Sequence, residues 1–138
     1  MVSETKDAVK NSESWGDLEA FKRVGARLGK PLVTISPRLA FIFNSSFLSE
    51  ARDALKNKTH VVLYFSRSNN AIVLEFTDKK DADGAIKLSI RGNMSIAAKS
   101  FCNYYKLSAD EINGRYQPEL RHLPHKGYAW VIFLNKKR

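Results

Sequence analysis

The chain has 138 residues, 43% of them hydrophobic and 27% charged, enough to bury a real core as one domain. No run of about 18 apolar residues is present, which excludes a helical membrane span, and no apolar segment near the start suggests a secretory signal. One cysteine, Cys102, rules out an internal disulfide, and 23 Lys and Arg against 14 Asp and Glu give a net +9. The expectation is a basic protein of the cytoplasm or nucleoid.

Residues 1–14 are polar, with only Val2, Ala8 and Val9 to bury, and read as a disordered tail. Ser14 can cap the turn that contains Asp17, and Trp15, Leu18, Phe21, Val24 and Leu28 then recur at spacings of three and four. That stripe predicts an amphipathic helix over 15–29, decorated by Lys22, Arg23 and Arg27 and ended by Gly29 and Pro31. The stripe must be covered, either by the domain that follows or by another chain.

From Val33 the period becomes two. Val33 and Ile35, then Phe41 and Phe43, alternate around a break at Pro37, a kinked strand. Asn44, Ser45 and Ser46 offer caps to a helix whose face is Phe47, Leu48, Ala51, Ala54 and Leu55. Val61, Leu63 and Phe65 form one strand and Ile72, Leu74 and Phe76 a second, joined around Ser68, Asn69 and Asn70 as a hairpin. Residues 77–84 are charged and read as a linker.

The pattern then begins again. A displacement of 53 carries Val33 onto Ile86, Ile35 onto Leu88, Ser36 onto Ser89 and Arg38 onto Arg91. It also carries Phe41 onto Met94, Phe43 onto Ile96 and Leu48 onto Phe101. A helix over 97–105 with Phe101 and Tyr104 inward follows, then strands over 114–120 and 128–134. Ser108 and Glu111 form a capping box, and Pro118 places the first of these strands at an edge or a bulge. The prediction is an α+β domain over 31–138, made of two tandem strand-helix-hairpin units (31–77 and 85–135). The units form a pseudo-two-fold antiparallel sheet, because neither half alone buries much apolar surface.

The stretch from Val33 to Phe76, with its kinked strand, Phe41-Ile42-Phe43-Asn44, short helix and Asn-turn hairpin, resembles the AbrB/SpoVT/MazE-type transcription factor unit. In outline the duplicated unit is also similar to Whirly-type single-stranded DNA-binding folds. The resemblance implies interlocked hairpins, DNA binding and transcription regulation, with Arg38 and Arg91 as the basic residues beside each kink.

The residues themselves point to an anionic partner. Residues 31–138 hold 17 basic and nine acidic side chains, so the folded part carries +8. Rings interleave with the cations, as a strand of stacked bases and phosphates would require. The candidate nucleic-acid-binding residues are Arg38, Arg91, Arg67, Tyr64, Arg115, Tyr116, Lys136, Lys137 and Arg138. Tyr64 is chosen because it is out of phase with Val61, Leu63 and Phe65, and Tyr116 because it adjoins Arg115 on the edge strand. DNA is favoured over RNA, single strands included.

No catalytic set emerges, so the expectation is a non-enzymatic protein without cofactor or metal. The glycines are scattered, the acid pairs lie in linker or cap positions, and His122 and His125 flank Pro124 in a turn. Cys102 reads as a buried thiol. The other reading is an assembly module that docks a protein partner or a second copy through the 15–29 helix or the 114–120 edge strand.

Overall fold

The computed structural model describes residues 15–19, 29–90 and 93–138. The 1–14 tail, Arg91 and residues 20–28 of the expected N-terminal helix lie outside the described residues. Of that helix, Trp15 to Glu19 make a turn, with the Leu18 N–H bonded to the Trp15 carbonyl at 3.3 Å, and Trp15 and Leu18 are exposed.

The chain is α+β, two antiparallel sheets with four short helices among the described residues. Strands β1 (Val33–Ile35) and β2 (Ala40–Phe43) lead into helices α1 (Ser45–Glu50) and α2 (Arg52–Leu55) and the hairpin β3 (His60–Ser66) and β4 (Ala71–Thr77). Then come β5 (Ile86–Lys87), β6 (Ser95–Ala97), α3 (Lys99–Tyr104), α4 (Ala109–Ile112), β7 (Gly114–Tyr116), β8 (Glu119–Leu123) and β9 (Gly127–Phe133). One sheet has the order β6-β2-β1-β7 and the other β5-β3-β4-β9-β8.

The turn at Pro37 is built by Ser36, whose hydroxyl accepts the Arg38 and Ala40 N–H groups and whose own N–H bonds the Ala40 carbonyl at 2.9 Å. This hydroxyl replaces the ladder that Pro37 interrupts. Asn44 caps α1, its side-chain oxygen accepting from the Phe47 N–H at 2.8 Å and from Leu32 at 3.0 Å. That cap aims Phe47 into the centre of the core, against Phe43 and edge-on to Trp130 at 5.0 Å between ring centres. A Phe47→Ala truncation there costs about 3–5 kcal/mol.

A single apolar core takes residues from both sheets: Val33, Ile35, Phe41 and Phe43 from one, Val61, Leu63, Ile72, Leu74, Trp130 and Ile132 from the other. The central strands β4 and β9 pair with Val73 opposite Val131, and each has a run of four buried residues. Because a strand points alternate residues to opposite faces, such runs require cover on both faces. The second face is a smaller cluster of Ala71, Val73, Ala129 and Val131.

Three expectations need correction. The 114–120 strand is broken into β7 and β8, since Pro118 has no N–H to continue the ladder; both pieces are edge strands of their sheets. In α3 it is Cys102 that points inward, with Phe101 half-buried and Tyr104 77% exposed. Ser108 caps α4 without any side-chain bond, so the capping box does not form; the Ser108 carbonyl takes the Glu111 and Ile112 N–H groups. No described helix is long and apolar enough to cross a membrane.

Candidate nucleic-acid interface

Register decides which rings reach solvent. On β3, Val61 and Leu63 face the core, so Tyr64 faces outward, opposite Val73. The same rule sends Phe133 outward opposite Ala71 and Arg121 outward opposite Ala129. These side chains surround the small residues Ala71, Val73 and Val131, and the result is a groove of about 430 Å3 with an apolar floor. Small residues in the floor leave room for a flat group to lie on the sheet.

The rim is a set of rings, each carrying a cation. The Lys126 ammonium stands 3.9 Å from the centre of the Tyr64 ring. Arg121 lies 5.1 Å and Lys136 4.8 Å from the centre of the Phe133 ring. Such contacts are worth about 0.5–1 kcal/mol each at exposed sites, and they hold flexible cations in place. On the opposite face of the β8–β9 pair, His122 stacks edge-on against Tyr128 at 5.0 Å. The Tyr64 hydroxyl donates to Glu75, which fixes its ring. The Tyr64 side chain in turn raises the Lys126 pKa.

Two carboxylates offset part of this charge, Glu75 beside Tyr64 and Lys126, and Glu119. Glu119 accepts from Arg121 and lies 3.5 Å from Lys136. The Arg121 hydrogen bond, followed by Lys136, holds the Glu119 carboxyl below its ordinary range.

The C-terminal cations extend this surface to the other sheet. The Arg138 N–H donates to the Arg115 carbonyl at 2.7 Å, and the Arg138 guanidinium donates to Gln117 at 2.9 Å. Lys137 reaches back to the Glu111 carbonyl at 3.0 Å. Its stem crosses Gly114, where an added Cβ would stand 2.6 Å from Lys137 Cδ; Gly114 also has φ +141°, which a side chain resists. Lys136, Lys137 and Arg138 are therefore pinned between the outer face of the five-stranded sheet and β7. Arg115 is exposed beside them.

The predicted residues thus divide. Tyr64, Arg115, Lys136, Lys137 and Arg138 fall on the surface just described. Arg38 is exposed in the turn after β1, at the end of the β1–β7 pair where Ile35 faces Gly114. Arg67 lies on the core-side rim instead, above Phe65 and Tyr105 at 5.7 and 5.9 Å. Arg91 lies outside the described residues.

Tyr116 must be corrected. It is 1% exposed, its hydroxyl donates to the Ile112 carbonyl at 2.6 Å, and burial raises its pKa. Its pairing opposite Val33 turns it inward, so its ring offers no face to a ligand.

The residues missed are Arg121, Lys126 and Phe133. Phe133 is out of phase with Trp130 and Ile132, the same signal that singled out Tyr64. Lys126 had no such signal, because only the hairpin turn brings it to Tyr64.

Cys102 is buried and its thiol is pushed up to about 11 by that burial, which leaves it unreactive at neutral pH. Among the described residues no group of three His, Cys, Asp or Glu is placed to hold a metal ion. No family model, curated relative or solved structure matches the chain.

Proposed function

We propose that the protein binds nucleic acid without chemistry, DNA foremost and single strands in particular, across the outer face of the five-stranded sheet. The observation that carries this reading is the succession of cations and rings from Lys126 and Tyr64, through Arg121, Phe133 and Lys136, to Lys137, Arg138 and Arg115, in which cations outnumber the carboxylates Glu75 and Glu119. Bases unstacked from a strand lie on the rings and the apolar floor, while the phosphates follow the cations. A stiff duplex has no free base faces to offer such a groove. A role in transcription regulation, as the resemblance implied, follows if the DNA is chromosomal.

The same reading includes duplication of the strand-helix-hairpin unit, which the hydrogen-bond pattern supports. Phe43 N–H donates to the Met94 carbonyl and Ala98 N–H to the Leu39 carbonyl, both at 2.9 Å, one bond drawn from each half. Val33 pairs with Tyr116 as Ile86 pairs with Val61. Ser36 N–H bonds the Ala40 carbonyl as Ser89 N–H bonds that of Ser95, so the second kink is two residues longer. Beyond the kink the displacement grows accordingly. Phe41 then corresponds to Ile96 and Phe43 to Ala98, in place of the Met94 and Ile96 that a uniform displacement assigns.

Fluorescence anisotropy with a labelled 20-nucleotide oligothymidine tests the proposal. With about four phosphates neutralised, the slope of log affinity on log salt is about −3, or a loss of about sixtyfold between 50 and 200 mM salt. Lys126→Gln with Arg121→Gln flattens that slope by about one unit, and Phe133→Ala weakens binding at every salt concentration by about 1–3 kcal/mol. Affinity that ignores salt, or is unmoved by these substitutions, refutes the assignment.

A further inference from the structure

We propose that the groove between α1–α2 and the β8–β9 hairpin docks a basic peptide segment of a partner protein, anchored by one aromatic side chain. The groove, about 470 Å3, is floored by Ala51, Ala54, Leu74, Phe76 and Trp130. Leu120, 53% exposed, and Tyr128, 74% exposed, stand on its hairpin side. Its charged lining is acidic, Glu50 and Asp53, on a chain of net +9; Glu75 also borders it, but its carboxylate is engaged by the Tyr64 hydroxyl on the outer face. Charge of one sign around an apolar floor selects a partner of the other sign, while the apolar floor supplies the affinity. The surface cannot serve the nucleic-acid role, since phosphates are repelled from it.

The aromatic anchor is inferred from the other half of the chain, and this step rests on the duplication proposed above. With the displacement that carries Phe41 onto Ile96, Phe65 corresponds to Leu120 and Tyr105 to Glu50. Phe65 is covered by Tyr105 at 5.2 Å between ring centres, and Phe101 backs Tyr105 at 5.0 Å. Arg67 closes that side, with its guanidinium above both Phe65 and Tyr105. That groove is therefore filled by a ring from the second half, Tyr105, and closed by a cation from the first, Arg67. In the first half the corresponding positions are Glu50 and Ser46, which leave Leu120 open. The space is shaped for a ring, and the carboxylates wait for the cation that accompanies it. Trp130, 5% exposed, contributes only apolar surface to the floor, since its indole N–H is fully buried.

The test uses the full chain and a fluorescein-labelled 12-residue peptide containing one Tyr, two Leu and five Lys, followed by anisotropy. Two comparison peptides replace Tyr by Ser, or every Lys by Glu. Saturable binding is expected, weakened about tenfold by Glu50→Lys with Asp53→Lys, by Leu120→Ser, and by the Ser peptide, and absent for the Glu peptide. Circular dichroism confirms that each variant is folded. The two acidic positions lie away from the basic surface, so oligothymidine affinity is not reduced by the lysine variant; loss of oligonucleotide binding in the parent chain bears on the nucleic-acid reading alone. Equal binding of the Tyr and Ser peptides overturns the proposal, as does binding that ignores the groove substitutions or fails altogether. A concentration-dependent dimer in sedimentation that Leu120→Ser dissolves also overturns it, since the occupant is then a second copy.

Discussion

Asn44 is the residue on which most of the local geometry around α1 converges, and replacing it by Ala is the sharpest test of how the fold is held. Its side-chain oxygen accepts from the N–H groups of Phe47 at 2.8 Å and Leu32 at 3.0 Å, and its amide donates to the Lys30 carbonyl at 2.9 Å. Its backbone N–H adds a bond to the Leu32 carbonyl at 3.1 Å, which the substitution leaves in place. Loss of the cap costs about 1 kcal/mol. The other two bonds add about 0.5–1.5 kcal/mol each, with the partly buried Leu32 N–H left unpaired at the upper end. Asn44→Ala is therefore expected to destabilise by about 2–4 kcal/mol, which lowers the midpoint by roughly 8–15 °C in a domain of this size. Asn44→Asp keeps both acceptor bonds and loses only the donation to Lys30, a change of about 1 kcal/mol. Ser108→Ala is the reference, because Ser108 caps α4 with no side-chain bond, and it is expected to stay within about 0.5 kcal/mol. Urea denaturation of the three variants, monitored by circular dichroism, measures the differences. If Asn44→Ala costs no more than Ser108→Ala, the three-way cap does not hold the segment 30–32 to α1 and the reasoning fails.

Further outcomes follow from the same geometry. Gly114→Ala must hold φ near +141° and displace the Lys137 stem, so it is expected to lose about 1–3 kcal/mol in urea denaturation and to weaken oligonucleotide binding by releasing Lys137. Tyr116→Phe removes the donor to the buried Ile112 carbonyl, costing about 1–3 kcal/mol while leaving oligonucleotide affinity unchanged, which separates a core role from a binding one. Cys102 has a pKa raised from 9.0 to about 11 in the folded chain, so its neutral form is favoured by folding. Its stabilisation is complete below about pH 9 and disappears as pH rises through about 11, amounting to about 2–3 kcal/mol. Tyr116, also raised by burial, adds a loss of the same sign. Denaturation midpoints measured at intervals from pH 8 to pH 11 check this, and a Cys102→Ala variant whose curve is as steep as that of the parent refutes the assignment to the thiol. Glu119 is shifted the other way, so what it contributes is present above about 4.5 and lost as pH falls; Glu119→Gln should be less acid-sensitive than the parent chain.

Most of the strand and helix positions were legible because the signals are local. Val61, Leu63 and Phe65 alternate, and the hairpin β3–β4 stands where they and Ile72, Leu74 and Phe76 placed it. Pro118 announced an edge, and both β7 and β8 lie at one. The same local rules misplaced the inward side of α3. Phe101 and Tyr104 are the large apolar residues there, yet the neighbouring Phe65 and Tyr105 form a ring cluster at the surface, and the small Cys102 is what fits against the packed interior.

The binding surface was legible only in part, and the reason is that a period of two names two faces without saying which of them is covered. For Tyr64 the neighbours Val61 and Leu63 settle the matter within one strand. For Tyr116 they do not, because β7 is three residues long and its orientation is imposed by β1, about eighty residues earlier, through the pairing of Val33 with Tyr116. Phe133 and Arg121 are brought beside Tyr64 by a second long-range pairing, β4 with β9, which places Val131 next to Val73 and so sets all outward side chains of four strands on one surface. The charge that marks this surface was countable in the sequence, but its concentration depends on Arg138 being held to Arg115 and Lys136 to Phe133. A mobile terminal Lys-Lys-Arg and a pinned one have the same composition. They differ in how much entropy a polyanion must remove on binding, and that difference is made by the tertiary contacts.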